Sequence, residues 1–204
     1  MMLHVSERKK LYAFLTRIFS YPDRELTASL QQGEAAEVGR LLPAAPVAPA
    51  IDTSTVELEV AYTDLFINRL GGAPAPPYGS VYLERDERLM GQTTLHVAED
   101  YRSEGLSLEG SGEPPDFLPT ELEFLYYLVE QEEQALSRRD LAAARTAVER
   151  QASFCRTLLH PWMPSFCDRI EADGQTPPLY RWAAGLLREF CRREQEWLAK
   201  VGRS

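Results

Sequence analysis

The sequence has few of the residues from which metal sites and nucleophilic centres are built. Its 204 residues include three cysteines and three histidines. No Cys-x-x-Cys pair occurs, and no histidine has a Cys, His or Glu at the spacing that metal ligands need. A small, odd number of unpaired cysteines is typical of a reduced cytoplasmic protein. We therefore expect no metal and no cofactor. The residues concerned are Cys155, Cys167, Cys191, His4, His96 and His160.

Motifs for catalysis and for membrane insertion are also missing. The chain contains no GxxxxGK[ST], GxGxxG or GxSxG sequence, so nothing indicates a nucleotide-binding enzyme or a serine hydrolase. No apolar run reaches the ~18 residues of a membrane span. The N-terminal segment is basic and then apolar, but Thr16 and Arg17 interrupt it and no small-residue cleavage site follows. We expect neither membrane insertion nor a cleaved signal peptide.

Alternating strand patterns are absent beyond a few residues, whereas helical spacing of apolar residues recurs along the chain. Residues 1–204 are therefore expected to form a single all-α domain of about eight to ten helices. Asp23, for example, is a typical N-cap for a helix ending near Gln32. Between residues 104 and 115 lie three glycines and two prolines. We interpret this stretch as a flexible hinge, which could allow a domain-swapped dimer as well as a monomer.

The helix expected from Thr55 to Asn68 is central to the prediction. At 100° per residue, one side carries an apolar face and another carries a second apolar strip. Two strips indicate a helix packed against more than one neighbour. The face comprises Leu58, Tyr62, Leu65 and Phe66, and the strip comprises Val56, Val60 and Ile67. The aromatic residues could be simple core, or they could line a groove for an amphipathic peptide.

A stiff turn follows this helix. Gly71-Gly72 ends the helix, and Pro74, Pro76 and Pro77 hold the chain extended. The segment then presents Tyr78, Ser80 and Tyr82. A rigid segment loses little entropy when it engages a partner, so it is suited to be a binding edge. The alternative is a surface turn with packed tyrosines.

A second stretch, residues 114–128, is expected to form a helix lying beside the first. Its apolar face includes Leu122, Leu125 and Tyr126, and Glu121 falls inside that face. A desolvated carboxylate needs a partner, which could be an internal Arg or Tyr or an arginine brought by a ligand. Asp116 could cap the helix or could bind such a ligand.

Positive charge is missing from residues 103–137, which contain nine carboxylates and no Lys or Arg. Because the whole chain has 31 acidic and 22 basic residues, these nine account for the entire net charge of −9. Such a segment repels nucleic acid and attracts a cationic ligand, although it could also be a solvated acidic face. The nine are Glu104, Glu109, Glu113, Asp116, Glu121, Glu123, Glu130, Glu132 and Glu133.

Five pieces of sequence, in order between Leu58 and Val129, resemble the TorD/DmsD/NarJ family of redox-enzyme maturation chaperones. They are Tyr62-x-x-Leu65-Phe66, PPYGSVYL (76–83), Met90-Gly91, Tyr101-x-x-x-Gly105-Leu106 and PPDFLPTELEFL (114–125). The family often has Asp-His where this chain has Asp116-Phe117. Because residue 117 is not a histidine here, Asp116 and Glu121 are the stronger candidates for the polar role in this motif.

The resemblance implies an all-helical cytoplasmic chaperone that is not an enzyme. Its partners would be the twin-arginine signal peptide and the apo-form of a molybdopterin oxidoreductase subunit. Six residues match positions that the family associates with the peptide groove, namely Tyr62, Leu65, Phe66, Ser80, Tyr82 and Asp116. Our own reading of the chain adds Tyr78, Phe117, Glu121, Glu123 and Tyr126 to these peptide-binding candidates. Two alternatives stay open: a chaperone for a non-exported subunit, and an all-α enzyme with Glu121 as general base.

Overall fold

The computed structural model describes residues 3–84, 91–107 and 112–201, and this part of the chain confirms the all-α prediction. It contains ten α-helices and two π-helical turns, and its single β-type pairing is an isolated antiparallel bridge between Tyr78 and Phe117. The helices are α1 (Val5–Phe19), α2 (Arg24–Gln31), α3 (Glu34–Gly39), α4 (Thr55–Tyr62), α5 (Gly79–Leu83), α6 (Gln92–Ser103), α7 (Leu118–Ser137), α8 (Leu141–Phe154), α9 (Met163–Ala172) and α10 (Pro178–Val201).

Local capping fixes where several helices begin. Asp23 accepts a hydrogen bond from the backbone N–H of Leu26 at 2.7 Å, so it caps α2 as expected. Ser54 and Glu57 form a reciprocal capping box at the start of α4. The predicted helix from Thr55 to Asn68 continues beyond α4 as the π-helical turn Thr63–Ile67. A second π-helical turn, Cys155–Leu159, follows α8.

Helix α7 forms the centre of the molecule. It packs chiefly against α1 on one side and α8 on the other, and α10 crosses α8, α9 and α1. The buried apolar side chains of these helices join in one hydrophobic cluster. None of the helices in the described ranges is both long enough and apolar enough to span a bilayer.

Two expectations about α4 are wrong. Its second apolar strip is not covered by another helix in the described part of the chain, because Val56, Val60 and Ile67 are 64%, 64% and 56% exposed. Helix α4 also does not lie along α7, whose main neighbours are α1 and α8. The two key stretches meet instead through the turn after α4, which pairs with the residues just before α7. Periodicity showed which residues share a face, but not whether that face has a neighbour.

Some predicted features lie outside the described residues. These include Met90 of the third family motif, the acidic Glu109, and most of the segment 83–90. The predicted hinge at 104–115 connects α6 to α7, and residues 108–111 of it are outside the described part. The hinge and domain swapping therefore stay predictions.

Candidate functional site

The turn after α4 and the loop before α7 are joined by a short antiparallel bridge. The Gly79 N–H donates to the Asp116 carbonyl, and the Leu118 N–H donates to the Pro77 carbonyl, both at 2.9 Å. Prolines at 76 and 77 favour the extended backbone that this pairing needs. The bridge brings the PPYGSVYL and PPDFLPTELEFL motifs together, as their shared role in a site would require.

Asp116 is the polar centre of this junction and is fully buried. One carboxylate oxygen accepts the Ser80 backbone N–H at 2.7 Å, and the other accepts the Thr94 hydroxyl at 2.9 Å. The N-cap position of α7 is Phe117, and no side chain caps the helix there. The N-cap interpretation of Asp116 is therefore wrong, because its carboxylate ties the start of α5 to α6 rather than closing its own helix.

Replacing Asp116 by alanine is expected to lower the free energy of unfolding by at least about 1.5–3 kcal/mol, the contribution of one hydrogen bond to a charged group. The change leaves the buried Ser80 N–H and Thr94 hydroxyl without this acceptor. Thr94→Val removes one of the two bonds to the carboxylate and should cost less, about 1.5 kcal/mol, the lower end of the same range. Urea unfolding followed by circular dichroism measures both. An alanine variant as stable as the wild type would exclude this anchoring role.

Glu121 lies one turn into α7 and is completely buried. Neither carboxyl oxygen has a hydrogen-bond partner among the described residues. Burial raises the pKa of Glu121 well above the ordinary value of 4.5 and the nearby Asp116 raises it further, while the Trp162 indole lowers it slightly. The predicted internal Arg or Tyr partner is not found in the described part. A ligand arginine could reach this carboxyl only if the surrounding side chains moved.

Trp162 is the residue of this region that sequence reasoning missed. It is fully buried and stacks on Tyr82, with ring centroids 5.4 Å apart. Its indole nitrogen lies against Gly79, where an added Cβ would approach it to 3.0 Å. The indole N–H influences Glu121 but is not in hydrogen-bond geometry with it. No sequence pattern indicated this contact, because Trp162 is far from both motifs along the chain.

Tyr62, Leu65 and Phe66 belong to the hydrophobic core, with exposures of 3%, 0% and 2%. The Tyr62 hydroxyl donates to the Phe19 carbonyl at 2.9 Å. Phe66 packs against Phe19, Phe166 and Tyr180. Of the two interpretations of this aromatic stripe, the structure favours core, and the three residues support a surface rather than line it in this conformation.

Of the remaining candidates, Ser80 and Phe117 are buried, whereas Tyr78, Tyr82, Glu123 and Tyr126 are at least partly exposed. Tyr78 is half-buried, packs on Phe117 and donates its hydroxyl to Glu113 at 2.9 Å. Burial, followed by this hydrogen bond, raises the pKa of Tyr78. Glu123 is exposed, and its pKa is raised by partial burial. Tyr126 is partly exposed on α7, with the Lys9 ammonium 5.3 Å from its ring centroid.

The acidic segment is divided between two environments. Four of its carboxylates are ion-paired: Glu104 with Arg150, Glu132 with Arg8, and both Glu130 and Glu133 with Lys9. The prediction that the segment attracts a cationic ligand therefore does not extend to these four, which have cations of this chain as partners. Asp116, Glu121 and Glu123 are close enough to the buried Tyr101 for the charge of each to raise its pKa. The Tyr101 hydroxyl donates to the Pro115 carbonyl.

Comparison with known proteins places this arrangement in a family. A family model described as "Nitrate reductase delta subunit" matches residues 27–168, which is more than half of the chain. The chain belongs to this family. It is the family of redox-enzyme maturation chaperones that the sequence motifs resembled, and both paired motifs at the Asp116 junction fall within the matched range.

Individual relatives carry related names. The chain is 33% identical to the selenate reductase assembly chaperone protein of Thauera selenatis over 187 residues, covering 89% of this chain and 86% of that one. It is 31% identical to the Tat proofreading chaperone DmsD of Salmonella typhi, covering 71% of this chain but only 64% of that relative. A crystal structure from Archaeoglobus fulgidus, described as a redox enzyme maturation protein, aligns with a TM-score of 0.55 at 25% identity, covering 98% and 96% of the two chains.

Proposed function

We propose that this family member is a cytoplasmic chaperone, without catalytic turnover, for a molybdenum- or tungsten-cofactor oxidoreductase subunit. It would bind the subunit's N-terminal twin-arginine signal peptide, hold the apo-protein while the cofactor is loaded, and delay export. The relative from Salmonella typhi named as a Tat proofreading chaperone supports the signal-peptide part. The selenate reductase relative, named as an assembly chaperone, supports the maturation part.

The observation that carries this proposal is the joined pair of motifs at Asp116. Their pairing builds an edge at which the Tyr78 and Tyr82 rings are partly exposed, Tyr78 packed on Phe117 and Tyr82 on Trp162 with the Arg169 guanidinium over its ring. Two carboxylates accompany this edge: Glu113 is bonded to the Tyr78 hydroxyl, and Glu123 is exposed in the first half of α7. Carboxylates bind guanidinium groups through bidentate, charge-assisted hydrogen bonds, and tyrosine rings offer flat apolar contact.

A peptide series tests this function. A peptide with paired arginines and an apolar stretch should bind at least about tenfold more tightly than its Ala-Ala variant, since bidentate contacts to carboxylates are lost. A Lys-Lys variant should lie between them, because an ammonium group is a point charge without the planar fork. Isothermal titration calorimetry at low and at physiological salt measures the difference, which should shrink as salt rises.

Asp116→Asn and Glu121→Gln are the test variants, and Glu99→Gln is the control, because Glu99 is exposed and paired with Arg102 on α6. The first two should weaken binding of the arginine peptide, and the third should not. Equal affinity of the wild type for all three peptides would contradict the proposal.

A second function is favoured by the description of the family model, which names a nitrate reductase subunit. The protein would then assemble a subunit that is not exported. Co-purification from the native host decides between the two, by whether the partner's N-terminus contains Arg-Arg. Light scattering of the purified protein decides between a monomer and a domain-swapped dimer. The general-base alternative has less support: the raised pKa of Glu121 fits it, but the carboxyl is completely buried.

A further inference from the structure

The outer face of α4 carries apolar side chains that the other described residues leave mostly exposed. Val56 and Val60, one helical turn apart, are each 64% exposed. Beyond them, Ile67 and Leu70 are 56% and 104% exposed. The inner face of the same segment carries Leu58, Tyr62, Leu65 and Phe66 into the core. Large apolar side chains that are exposed in sequence-adjacent turns indicate a binding surface more often than scattered single residues do.

This surface has a concave part. A groove of about 340 Å³ lies between α4 and the turn that precedes α10. Val56, Val60 and Ala61 line one wall, and Pro177 lines the other. We call these four residues, together with the acids Glu57 and Asp64 that also line it, the α4 groove. A groove with apolar walls and a charged border is the shape that an amphipathic peptide helix fills.

The charged side chains around the α4 groove determine which kind of peptide can bind favourably there. Residues 41–68 contain four carboxylates and no Lys or Arg. Arg69 is held between Asp64 and Asp173, and Arg181 donates to the backbone carbonyls of Asp173 and Thr176 beside the other wall. These two arginines and two aspartates balance, so Glu57 leaves the border with a net negative charge. Glu57 is hydrogen-bonded in the capping box, which leaves its negative charge in place. The surface therefore complements a segment that is apolar and basic, and it disfavours an acidic one.

We infer that the α4 groove receives the apolar stretch of a leader peptide that carries arginines at its N-terminal end. The inference rests on the proposed function and extends it. The Asp116 junction would bind the arginine pair, and the outer face of α4, rather than the buried face with Tyr62 and Phe66, would bind the apolar helix. The peptide thus reaches an apolar surface without any rearrangement of the core.

Val60→Asp tests this assignment without disturbing packing, because the side chain is already mostly exposed. The variant removes an apolar contact and adds a carboxylate next to Glu57 and Asp64. Its affinity for the arginine peptide with an apolar stretch should fall about tenfold or more, the effect of losing one buried valine contact. The matched control is Leu141→Asp, since Leu141 is 72% exposed at the start of α8, outside the groove. That control should change affinity less than about twofold.

A second peptide separates the two parts of the site. It keeps the paired arginines but has serines in place of the apolar residues. Val60→Asp should leave its weak binding unchanged, and this would confirm the assignment. If the wild type binds neither peptide, the proposed function fails. If the wild type and Val60→Asp bind the apolar peptide equally, the function stands and the α4 groove is excluded. If Val60→Asp converts a dimer to a monomer without changing peptide affinity, the occupant is a second copy and the inference is overturned.

Discussion

Replacing Arg8 by methionine is expected to lower the free energy of unfolding by about 3–5 kcal/mol. This is the largest loss of stability that we expect from a single substitution in this protein. Arg8 projects from α1 into the interior and is 2% exposed. Two carboxylates depend on it there. Without the guanidinium, Glu132 and Glu194 would be buried next to each other with no cation between them.

The geometry explains the size of this effect. Arg8 donates to Glu194 through Nε at 2.9 Å and Nη2 at 2.8 Å, and to Glu132 through Nη1 at 2.8 Å. Gln151 accepts a further bond from Nη2, and the Trp197 ring lies 4.0 Å from the guanidinium. Burial lowers the pKa of Arg8, but the charge and hydrogen bonds of Glu194, together with Tyr12 and Glu132, outweigh this and raise the pKa overall. The Arg8 guanidinium therefore stays charged, and it is the counter-ion of the buried Glu132 and Glu194 carboxylates.

The adjacent residue provides a matched control. Lys9 also pairs with two glutamates of α7, Glu130 at 3.3 Å and Glu133 at 2.8 Å, but these carboxylates are 39% and 38% exposed. Lys9→Met removes the same charge one position away and should cost no more than about 1 kcal/mol. Chemical denaturation of both variants, with equal m-values, makes the comparison. Similar losses for the two would show that burial of the Arg8 network does not matter.

The same network shows why part of the acidic segment could not be interpreted from sequence. Residues 8 and 132 are separated by 124 positions, and only the packing of α1 on α7 brings them together. Sequence counting found the surplus of carboxylates correctly. It could not tell which of them would meet a cation from another helix, since that depends on tertiary neighbours.

Features that depend on residues close together in the sequence were predicted well. The cap at Asp23, the helical turn containing Leu58 and Tyr62, and the buried position of Glu121 all follow from residues within a few positions of each other. Features set by distant contacts were not. Asp116 looked like a helix cap because its partners, Ser80 and Thr94, are 36 and 22 residues away.

The candidate site follows the same division. The motifs identified the right segments, because Pro-rich turns and an acid on an apolar face are visible locally. They did not show that Phe66 would face inward, that Val60 would face outward, or that Trp162 would sit beside Glu121. Each of these depends on which helix packs next to α4 or α7. Periodicity defines the faces of a helix, and only the packed fold decides which face is covered.

Glu121→Gln is expected to change the pH dependence of stability more than any other carboxylate substitution on α7. The folded state raises the pKa of Glu121 well above 4.5, with burial as the main cause, so the folded chain binds this proton more tightly than the unfolded chain does. Stability from this group is complete below about pH 4.5 and is lost as pH rises toward the folded-state pKa. Glutamine does not titrate, so the variant lacks this loss. The difference between variant and wild type should shift in favour of Gln by up to about 1.4 kcal/mol per pH unit above 4.5.

Other titratable groups near Glu121 make a control necessary. Asp116 faces it from the loop before α7, Tyr101 from α6 and Cys155 from the π-helical turn after α8. Because both proteins keep these groups, urea unfolding of wild type and Glu121→Gln from pH 4.5 to 8 isolates the one carboxyl. Glu123→Gln on the exposed side of the same helix should give a much smaller change in slope. Parallel stability curves for wild type and Glu121→Gln would mean that the buried carboxyl is ionised in the fold. It would then need a counter-charge within the molecule, and its availability to an incoming arginine would be lost.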